Sequence, residues 1–311
     1  PPRSTLFPYT TLFRSVQRLR DWQAGGLWAR SGVETFYHQP DAEDRANAVE
    51  TTIFNAWMGR YVGRTVGDEG LPGLGWPTGD TGRFRLLTKM IDGRGAGNPL
   101  GLGSWNPATQ ESIFFDDRRT EDLERSEEVA ILALVEALAW LRSDPTGPGE
   151  GGFGTDDMDA WVWGLRHHVR FKSLLGDFFD ADDPLLGRII APLDISPEDL
   201  PLAPGLTSTD PRFGLPGFPR PGDHLGVDAA NSGTSGTSFS FGSGSVYRMV
   251  VALGGSGFEA WNILPGGQSG LTSSPHFADQ AALWVGNQYA PVPIEPPKVA
   301  AVAVTREVLS P

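Results

Sequence analysis

Cysteine is absent from this sequence of 311 residues. Its absence excludes disulfide bonds, zinc sites with cysteine ligands and catalysis by a thiol. It does not identify the compartment, because secreted proteins of this size often fold without disulfides. The sequence also lacks any run of about 18 apolar residues, so no membrane-spanning helix is predicted.

Basic residues are in the minority. The chain has 25 Lys and Arg against 38 Asp and Glu, and its formal net charge is −13 at pH 7. Such a surface repels a phosphate backbone, so we expect no nucleic-acid partner. What the sequence does contain is a large apolar fraction of 39%, with 10 Trp and 17 Phe, which is enough for a sizeable core. The 40 Gly and 26 Pro predict many loops and short elements.

The first residues have an unusual composition. Residues 5–15 read TLFPYTTLFRS, which is the translation of a common sequencing adapter. We therefore expect residues 1–15 to be an assembly artefact, with the natural sequence beginning near Val16 and an upstream part missing. The alternative is a genuine short strand, because Phe, Tyr and Thr favour extended backbone.

Apolar periodicity predicts four helical segments. Val16–Gln23 is predicted as the end of a helix that the following glycines stop, and Asp44–Val66 as an amphipathic helix. Thr120–Arg142 is predicted as a helix capped by Thr120, and a segment starting at Ser274-Pro275 as a helix that ends near Val285. The predicted buried face of the third helix consists of Leu123, Ile131, Leu134, Val135 and Leu138.

Alternating or continuous apolar runs bounded by Gly, Ser and Asn predict strands. The segments concerned are Leu225–Ala230, Ser245–Leu253, Phe258–Leu264 and a last short strand at Val299–Val304. Between the helical and strand-rich parts, residues 181–222 are rich in Pro and show little periodicity, which predicts an ordered loop.

The densest motif lies near the C-terminus. Residues 265–270 read PGGQSG, residues 274–280 read SPHFADQ, and Trp284 follows four residues later. This order and spacing resembles the closing segment of the penicillin acylase family, the N-terminal-nucleophile amidohydrolases. The resemblance extends to a Trp-Gly-Leu-Arg-His block at 163–167, a Gly-Asp segment at 222–223 and an Arg-x-Val-Val strand from Arg248.

The residues that match the family motifs are expected to be structural. Glycines in the PGGQSG segment permit a tight backbone path, and neighbouring polar side chains can hold it by hydrogen bonds. His276, Asp279 and Gln280 are predicted to lie on one helix within a turn of one another. The full set is Trp163, Gly164, His167, Asp223, Arg248, Pro265, Gly267, Gln268, Ser269, Gly270, His276, Asp279, Gln280 and Trp284.

The resemblance implies a fold and a reaction. The fold is α+β, a partial αββα sandwich of the N-terminal-nucleophile hydrolases with long Pro/Gly-rich loops. Residues 16–294 then form the C-terminal part of the catalytic domain in the large (beta) subunit, and 295–311 form a tail. Members are made as one precursor that cleaves itself, and the serine exposed at the new N-terminus attacks an amide with its own α-amine as base.

Several properties of the whole enzyme follow from the resemblance alone. The nucleophilic serine and the oxyanion asparagine are expected upstream of this chain, so no catalytic residue is assigned here. The expected partners are a small N-acyl amide substrate and the small (alpha) subunit from the same precursor, and the expected location is the periplasm or the exterior. No cofactor is expected in this chain; calcium binds some members of the family, with ligands expected upstream.

Other patterns point to chemistry less specifically. A Gly-x-Gly-x-x-Gly pattern at 149–154 lacks a preceding strand, so a loop is favoured over a dinucleotide site. The acidic groups at 156–159 and 180–183 lack the glycine and terminal glutamate of a calcium loop, and the adjacent histidines at 167–168 lack spaced partners. For the chain as a whole, the alternative function is a non-catalytic secreted Trp/Gly-rich binding or surface module.

Overall fold

The computed structural model describes residues 3–33, 41–69, 79–147, 150–171, 217–222, 238–239, 245, 247–254, 257–269, 271 and 273–305. Within these residues the fold is mixed α+β, as predicted, with helices early in the chain and small antiparallel sheets. The described sheets are too small to show the four-layer sandwich, which stays a proposal. None of the described helices is both long enough and apolar enough to cross a bilayer.

The chain divides into two compact units. The first comprises Pro1–Glu34, Gln39–Val169 and Pro219–Gly244, and the second comprises Thr35–His38, Arg170–Phe218 and Ser245–Pro311. The described helices are α1 (Arg3–Ala24), α2 (Ala42–Thr65), α3 (Asp80–Asp92), α4 (Ser126–Arg142), α5 (Ala281–Val285) and α6 (Pro296–Val302). The described strands are β1 (Trp105–Asn106), β2 (Glu111–Ser112), β3 (Pro145–Gly147), β4 (Glu150–Gly151), β5 (His168–Val169), β6 (Phe218–Pro219), β7 (Arg248–Gly254), β8 (Gly257–Ile263) and β9 (Ala290–Val292).

Helix α2 is the centre of the first unit. It begins at a capping box in which Asp41 accepts a hydrogen bond from the Asp44 N–H and Asp44 accepts one in return. The predicted helix is thus confirmed, and polar residues are buried in it beside the apolar ones. Thr51, Thr52 and Asn55 are buried, and each donates to a backbone carbonyl four residues earlier. These bonds satisfy the buried polar groups and let neighbouring elements cover α2 on several sides.

Helix α4 packs along α2, and its predicted start was wrong. It begins at Ser126, where the Glu128 carboxylate accepts from the Arg125 N–H at 2.8 Å. The preceding residues form no helix, because Glu124 instead accepts from the Asp117 N–H at 3.0 Å and donates its own N–H to Asp116 at 3.3 Å. Local side-chain bonds of this kind compete with the helical pattern.

The predicted buried face of α4 was also partly wrong. Leu123, Ile131 and Val135 are 57%, 53% and 44% exposed, while Leu134 and Leu138 are buried as predicted. The face that contacts the core is completed by small and aliphatic residues that the periodicity did not select, namely Val129, Ala133, Ala137 and Leu141. Alanines allow α2 and α4 to approach closely, and this approach determines which side of α4 is buried.

The remaining helices of the first unit are α1 and α3. Helix α1 ends at Ala24 before two glycines, as predicted, and it is helical from Arg3, so the alternative of a short strand at the start of the chain is wrong. The adapter origin of residues 1–15 stays a prediction. Helix α3 was not predicted, although its buried Leu87 and Met90 have helical spacing.

A three-stranded antiparallel sheet organises the second unit. The predicted strands at 245–253 and 258–264 are confirmed as β7 and β8, which pair from Arg248↔Ile263 to Gly254↔Gly257. Strand β9 adds to the other edge of β8 through Ala260↔Val292. The predicted strand at 225–230 and most of the predicted loop at 181–222 lie outside the described residues.

Two predictions in the second unit were wrong. Residues 274–280 form turns, and only Ala281–Val285 is helical, because the Gln280 N–H is bound by the Gly266 carbonyl at 2.8 Å and the His276 carbonyl by the Ser269 N–H at 3.1 Å. The predicted strand at 299–304 is instead mostly the helix α6. It begins with proline at its first position, which favours a helix start, and it has no strand neighbour among the described residues.

Candidate functional site

The Trp-Gly-Leu-Arg-His block forms a buried aromatic cluster in the first unit. Residues Trp163–Leu165 form a single 3-10 turn, and neither Trp163 nor His167 has exposed surface. Their rings stack at 4.8 Å between centroids, and Phe239 packs on Trp163 at 4.9 Å. The Nδ1 atom of His167 lies 2.8 Å from the Phe239 carbonyl oxygen. These contacts fix the block to the segment at Phe239 and place the histidine away from solvent.

The glycine at position 164 is required for steric reasons. Its N–H donates to the Ser31 carbonyl at 2.7 Å, and a Cβ added here would lie 2.8 Å from that same oxygen. No side chain fits at this distance, so the block requires glycine to reach the segment at Ser31. The Trp-Gly pair therefore works as a joint between chain segments.

The PGGQSG segment of the second unit turns sharply at the end of β8. Gly266 adopts φ of 100°, a conformation that residues with a Cβ rarely adopt. A Cβ on Gly267 would lie 2.1 Å from the His276 carbonyl oxygen, so the backbone at Gly267 is in close contact with the backbone at His276. The Ser269 hydroxyl accepts from the Leu271 N–H at 3.1 Å, which closes a local turn.

Gln280 fastens the end of β8 to the loop. Its side-chain Oε1 accepts from the Leu264 N–H at 3.2 Å, and its own N–H donates to the Gly266 carbonyl at 2.8 Å. One residue thus supplies two of the bonds that fix the turn. Pro265 is half-buried and Gln268 is exposed, whereas Asp223 and Gly270 lie outside the described residues.

His276 and Asp279 form a pair at the surface. The Nδ1 atom of His276 lies 2.9 Å from the Asp279 carboxylate, and their side chains are 70% and 39% exposed. An imidazole oriented by a carboxylate is the arrangement that a general base uses. The hydroxyl of Ser274, two residues earlier, accepts from the His276 backbone N–H at 3.2 Å. Among the described residues, the only hydrogen-bond partner of the His276 ring is the Asp279 carboxylate.

Arg248 is a buried cation of the second unit. Its guanidinium lies 3.7 Å from the centroid of the Trp284 ring, and it donates to the Trp284 carbonyl at 3.0 Å and to Asn287 Oδ1 at 2.9 Å. The structure thus brings together two motif residues that are far apart in sequence. The contact with Asn287 was not predicted from the sequence. Asn287 lies just after the end of α5 and has φ of 52°, a conformation that Asn adopts at helix ends more readily than most residues.

Several acidic residues of the first unit pair with arginines, and Asp117 is the most buried of them. The buried Asp117 carboxylate accepts from Arg119 at 2.7 and 2.8 Å and from Arg64 at 2.5 Å, and the Arg119 hydrogen bonds are the main cause that lowers the pKa of Asp117. Glu50 differs, because burial is the main cause that raises its pKa against the opposing effect of Arg18.

Among the described residues, no three His, Asp or Glu side chains form a group that could hold a metal ion.

The glycine pattern at 149–154 begins with Gly149, which lies outside the described residues, and continues into β4 with Gly151. Strand β4 pairs with β3, and Gly151 and Gly154 have φ of 76° and 67°. A 3-10 turn at Met158–Ala160 follows in place of the helix that a dinucleotide site requires. Gly151 and Gly154 therefore serve the local backbone conformation.

Comparison with known proteins extends the motif matches. A sequence model of the penicillin amidase family matches residues 10–301. The acyl-homoserine lactone acylase QuiP of Pseudomonas aeruginosa is 26% identical over 190 residues, which cover 60% of this chain and 19% of that protein. The chain therefore spans about a fifth of the length of the curated relative it matches.

Proposed function

The chain belongs to the penicillin amidase family, and from that premise we propose that it is the C-terminal part of the large subunit of an amidohydrolase. The parent enzyme cleaves an acyl-amide bond in a β-lactam side chain, an acyl-homoserine lactone or another N-acyl substrate. The observation that carries the proposal is the family match over 292 residues, from 10 to 301. The QuiP similarity supports an N-acyl amide as the substrate class.

In the proposed reaction, the nucleophile comes from outside this chain. An N-terminal serine hydroxyl attacks the amide carbon, and its α-amine takes the hydroxyl proton. The α-ammonium then gives that proton to the leaving nitrogen, and the amine product departs as the tetrahedral intermediate collapses to an acyl-enzyme. A backbone N–H and an asparagine amide stabilise the oxyanion, and water then releases the acid. The α-amine suits the role of base because its pKa is near 8.

The residues of this chain contribute rigidity to that enzyme. The contact of His167 with the Phe239 carbonyl, the bond of the Gly164 N–H to the Ser31 carbonyl and the bond of Arg248 to the Trp284 carbonyl each join segments distant in sequence. Catalytic groups need positioning within about 0.5 Å, which only a stiff support provides. We therefore assign these residues to support, and no residue of this chain to bond making or breaking.

The test combines sequencing with a chemical probe. We expect reads across the junction of Ser15 and Val16 to diverge from the adapter into an upstream coding region with a self-cleavage site before a serine. The isolated chain, incubated with phenylmethylsulfonyl fluoride and with N-decanoyl homoserine lactone, is expected to show no mass adduct and no amide hydrolysis. A stoichiometric adduct on a serine of this chain, together with hydrolysis, would refute the upstream nucleophile.

The whole enzyme's further properties follow the same proposal. It is a self-cleaving precursor whose small subunit pairs with the large one, and it works in the periplasm or outside the cell. The alternative of a non-catalytic Trp/Gly-rich module gains no support, because the family match runs through both the helical and the sheet-containing segments.

A further inference from the structure

An open groove lies between α1, α2 and α4 in the first unit. It encloses about 420 Å³, which is within the usual range of small-ligand pockets. Trp22, Phe54 and Trp57 line it together with Leu19 and Leu134. Ile131 of α4 and Leu27 also line the groove, and each is 53% exposed.

The groove is chemically apolar. Trp22 and Phe54 contact at 5.5 Å between centroids, and Phe54 and Trp57 at 6.4 Å. Both indole N–H groups are already used, since Trp22 donates to the Trp28 carbonyl at 3.0 Å and Trp57 to the Ala130 carbonyl at 2.7 Å. The aromatic side chains therefore offer ring surfaces, which favour an aliphatic or aromatic chain over a polar ligand.

One cation lines the groove. Arg20 is exposed and makes no ion pair with any residue that the structure describes, whereas Arg18, two residues earlier, pairs with Glu50 and Asp159. In a chain of net charge −13, an unpaired arginine beside an apolar groove is complementary to an anionic head group. Gln23 also lines the groove and offers a further hydrogen-bond donor.

We propose that this groove binds a single-chain carboxylate, with the apolar chain against Trp22, Phe54 and Trp57 and the carboxylate at Arg20. The site is separate from the motif residues and does not depend on amide hydrolysis. It can therefore stand if the proposed function fails, and fall if the proposed function holds.

The test is a calorimetric titration of the full chain with decanoate below its micelle concentration. Wild type is expected to bind one equivalent saturably. Ile131→Trp, which fills the groove, is expected to weaken binding about tenfold or more, since the chain loses its apolar contacts. The matched control is Leu132→Trp on the same helix, where the side chain is 40% exposed and does not line the groove; it is expected to change affinity less than about twofold.

The head group has its own pair of variants. Arg20→Gln is expected to weaken decanoate binding about threefold, as for an exposed ion pair, and to leave decanol binding unchanged. Arg85→Gln, at an exposed arginine of α3 outside the groove, is the control and should change neither. Equal affinities of wild type and Arg20→Gln for decanoate would overturn the carboxylate assignment.

Other results would overturn the site itself. Absence of saturable binding to wild type would do so, as would equal binding by Ile131→Trp and Leu132→Trp. Leu27→Trp, at the exposed border of the groove, repeats the filling test if Ile131→Trp does not fold, as judged by circular dichroism. If sedimentation shows a wild-type dimer that Ile131→Trp converts to a monomer, the groove is covered by a second copy and the ligand proposal is refuted.

Discussion

The closest backbone approach in the motif region is at Gly267, and its replacement by alanine is predicted to open the loop. A Cβ here would lie 2.1 Å from the His276 carbonyl oxygen and 2.6 Å from the carbonyl carbon and oxygen of Phe277. All three are backbone atoms, so no side chain can move aside. Gly267 has no left-handed backbone conformation, unlike Gly266, so the substitution tests contact alone.

The magnitude follows from the displacement. Restoring ordinary contact near 3.4 Å requires the two segments to separate by about 1.3 Å, which lengthens the 3.1 Å bond from the Ser269 N–H to the His276 carbonyl beyond hydrogen-bond range. Overpacking costs about 1–3 kcal/mol and a lost hydrogen bond about 1 kcal/mol. We therefore expect about 2–4 kcal/mol, which is a thirtyfold or greater rise in local opening.

Hydrogen exchange with mass spectrometry measures that opening directly. Peptides spanning 264–280 are expected to exchange about thirtyfold faster or more in Gly267→Ala, with peptides from α2 unchanged. The control is Gly63→Ala in α2, where an added Cβ meets no atom within 4 Å and where alanine should stabilise the helix by about 0.5–1 kcal/mol. Unchanged exchange across 264–280 in Gly267→Ala would show that the close approach is absent and the argument from it is wrong.

Two further predictions concern the first unit, both measured by urea denaturation with tryptophan fluorescence. Ile53→Ala removes a fully buried side chain from the core around α2 and is expected to cost about 2–5 kcal/mol, whereas Leu123→Ala, 57% exposed despite its apolar periodicity, should cost less than about 0.5 kcal/mol. A large effect at Leu123 would contradict the exposed position. The lowered pKa of Asp117 contributes stability that is present above its unfolded pKa of about 3.9 and is lost as pH falls through the lower folded value. Asp117→Asn should flatten the loss of stability below about pH 4, and an unchanged acid limb would show that Asp117 carries no such linkage.

Patterns within single segments determined much of the architecture. Spacing of apolar residues located α2 and the end of α1, and the paired apolar runs near residues 250 and 260 located the β7–β8 hairpin. These predictions succeed because a repeat of 3.6 residues in a helix, or of 2 in a strand, is a property of the local backbone. The family motifs were equally readable, because glycines such as Gly267 stand where only glycine fits.

The tertiary structure decided which faces are covered. Ile131 and Val135 continue an apolar stripe yet are exposed, because close approach through alanines turns α4 toward other residues. The polar Thr51 and Asn55 are buried because their side chains form hydrogen bonds to backbone carbonyls within α2, which offset the cost of removing them from water.

The sequence alone therefore established the absence of thiol chemistry, the main helices, the hairpin and the family resemblance. Only the folded chain showed that residues 274–280 form turns, that Arg248 lies against Trp284 and that a groove is left open beside α4. Each of these depends on contacts between residues far apart in the chain. Such contacts overrule local preference because a backbone bond or a packed ring stabilises more than the few tenths of a kcal/mol that separate residue propensities.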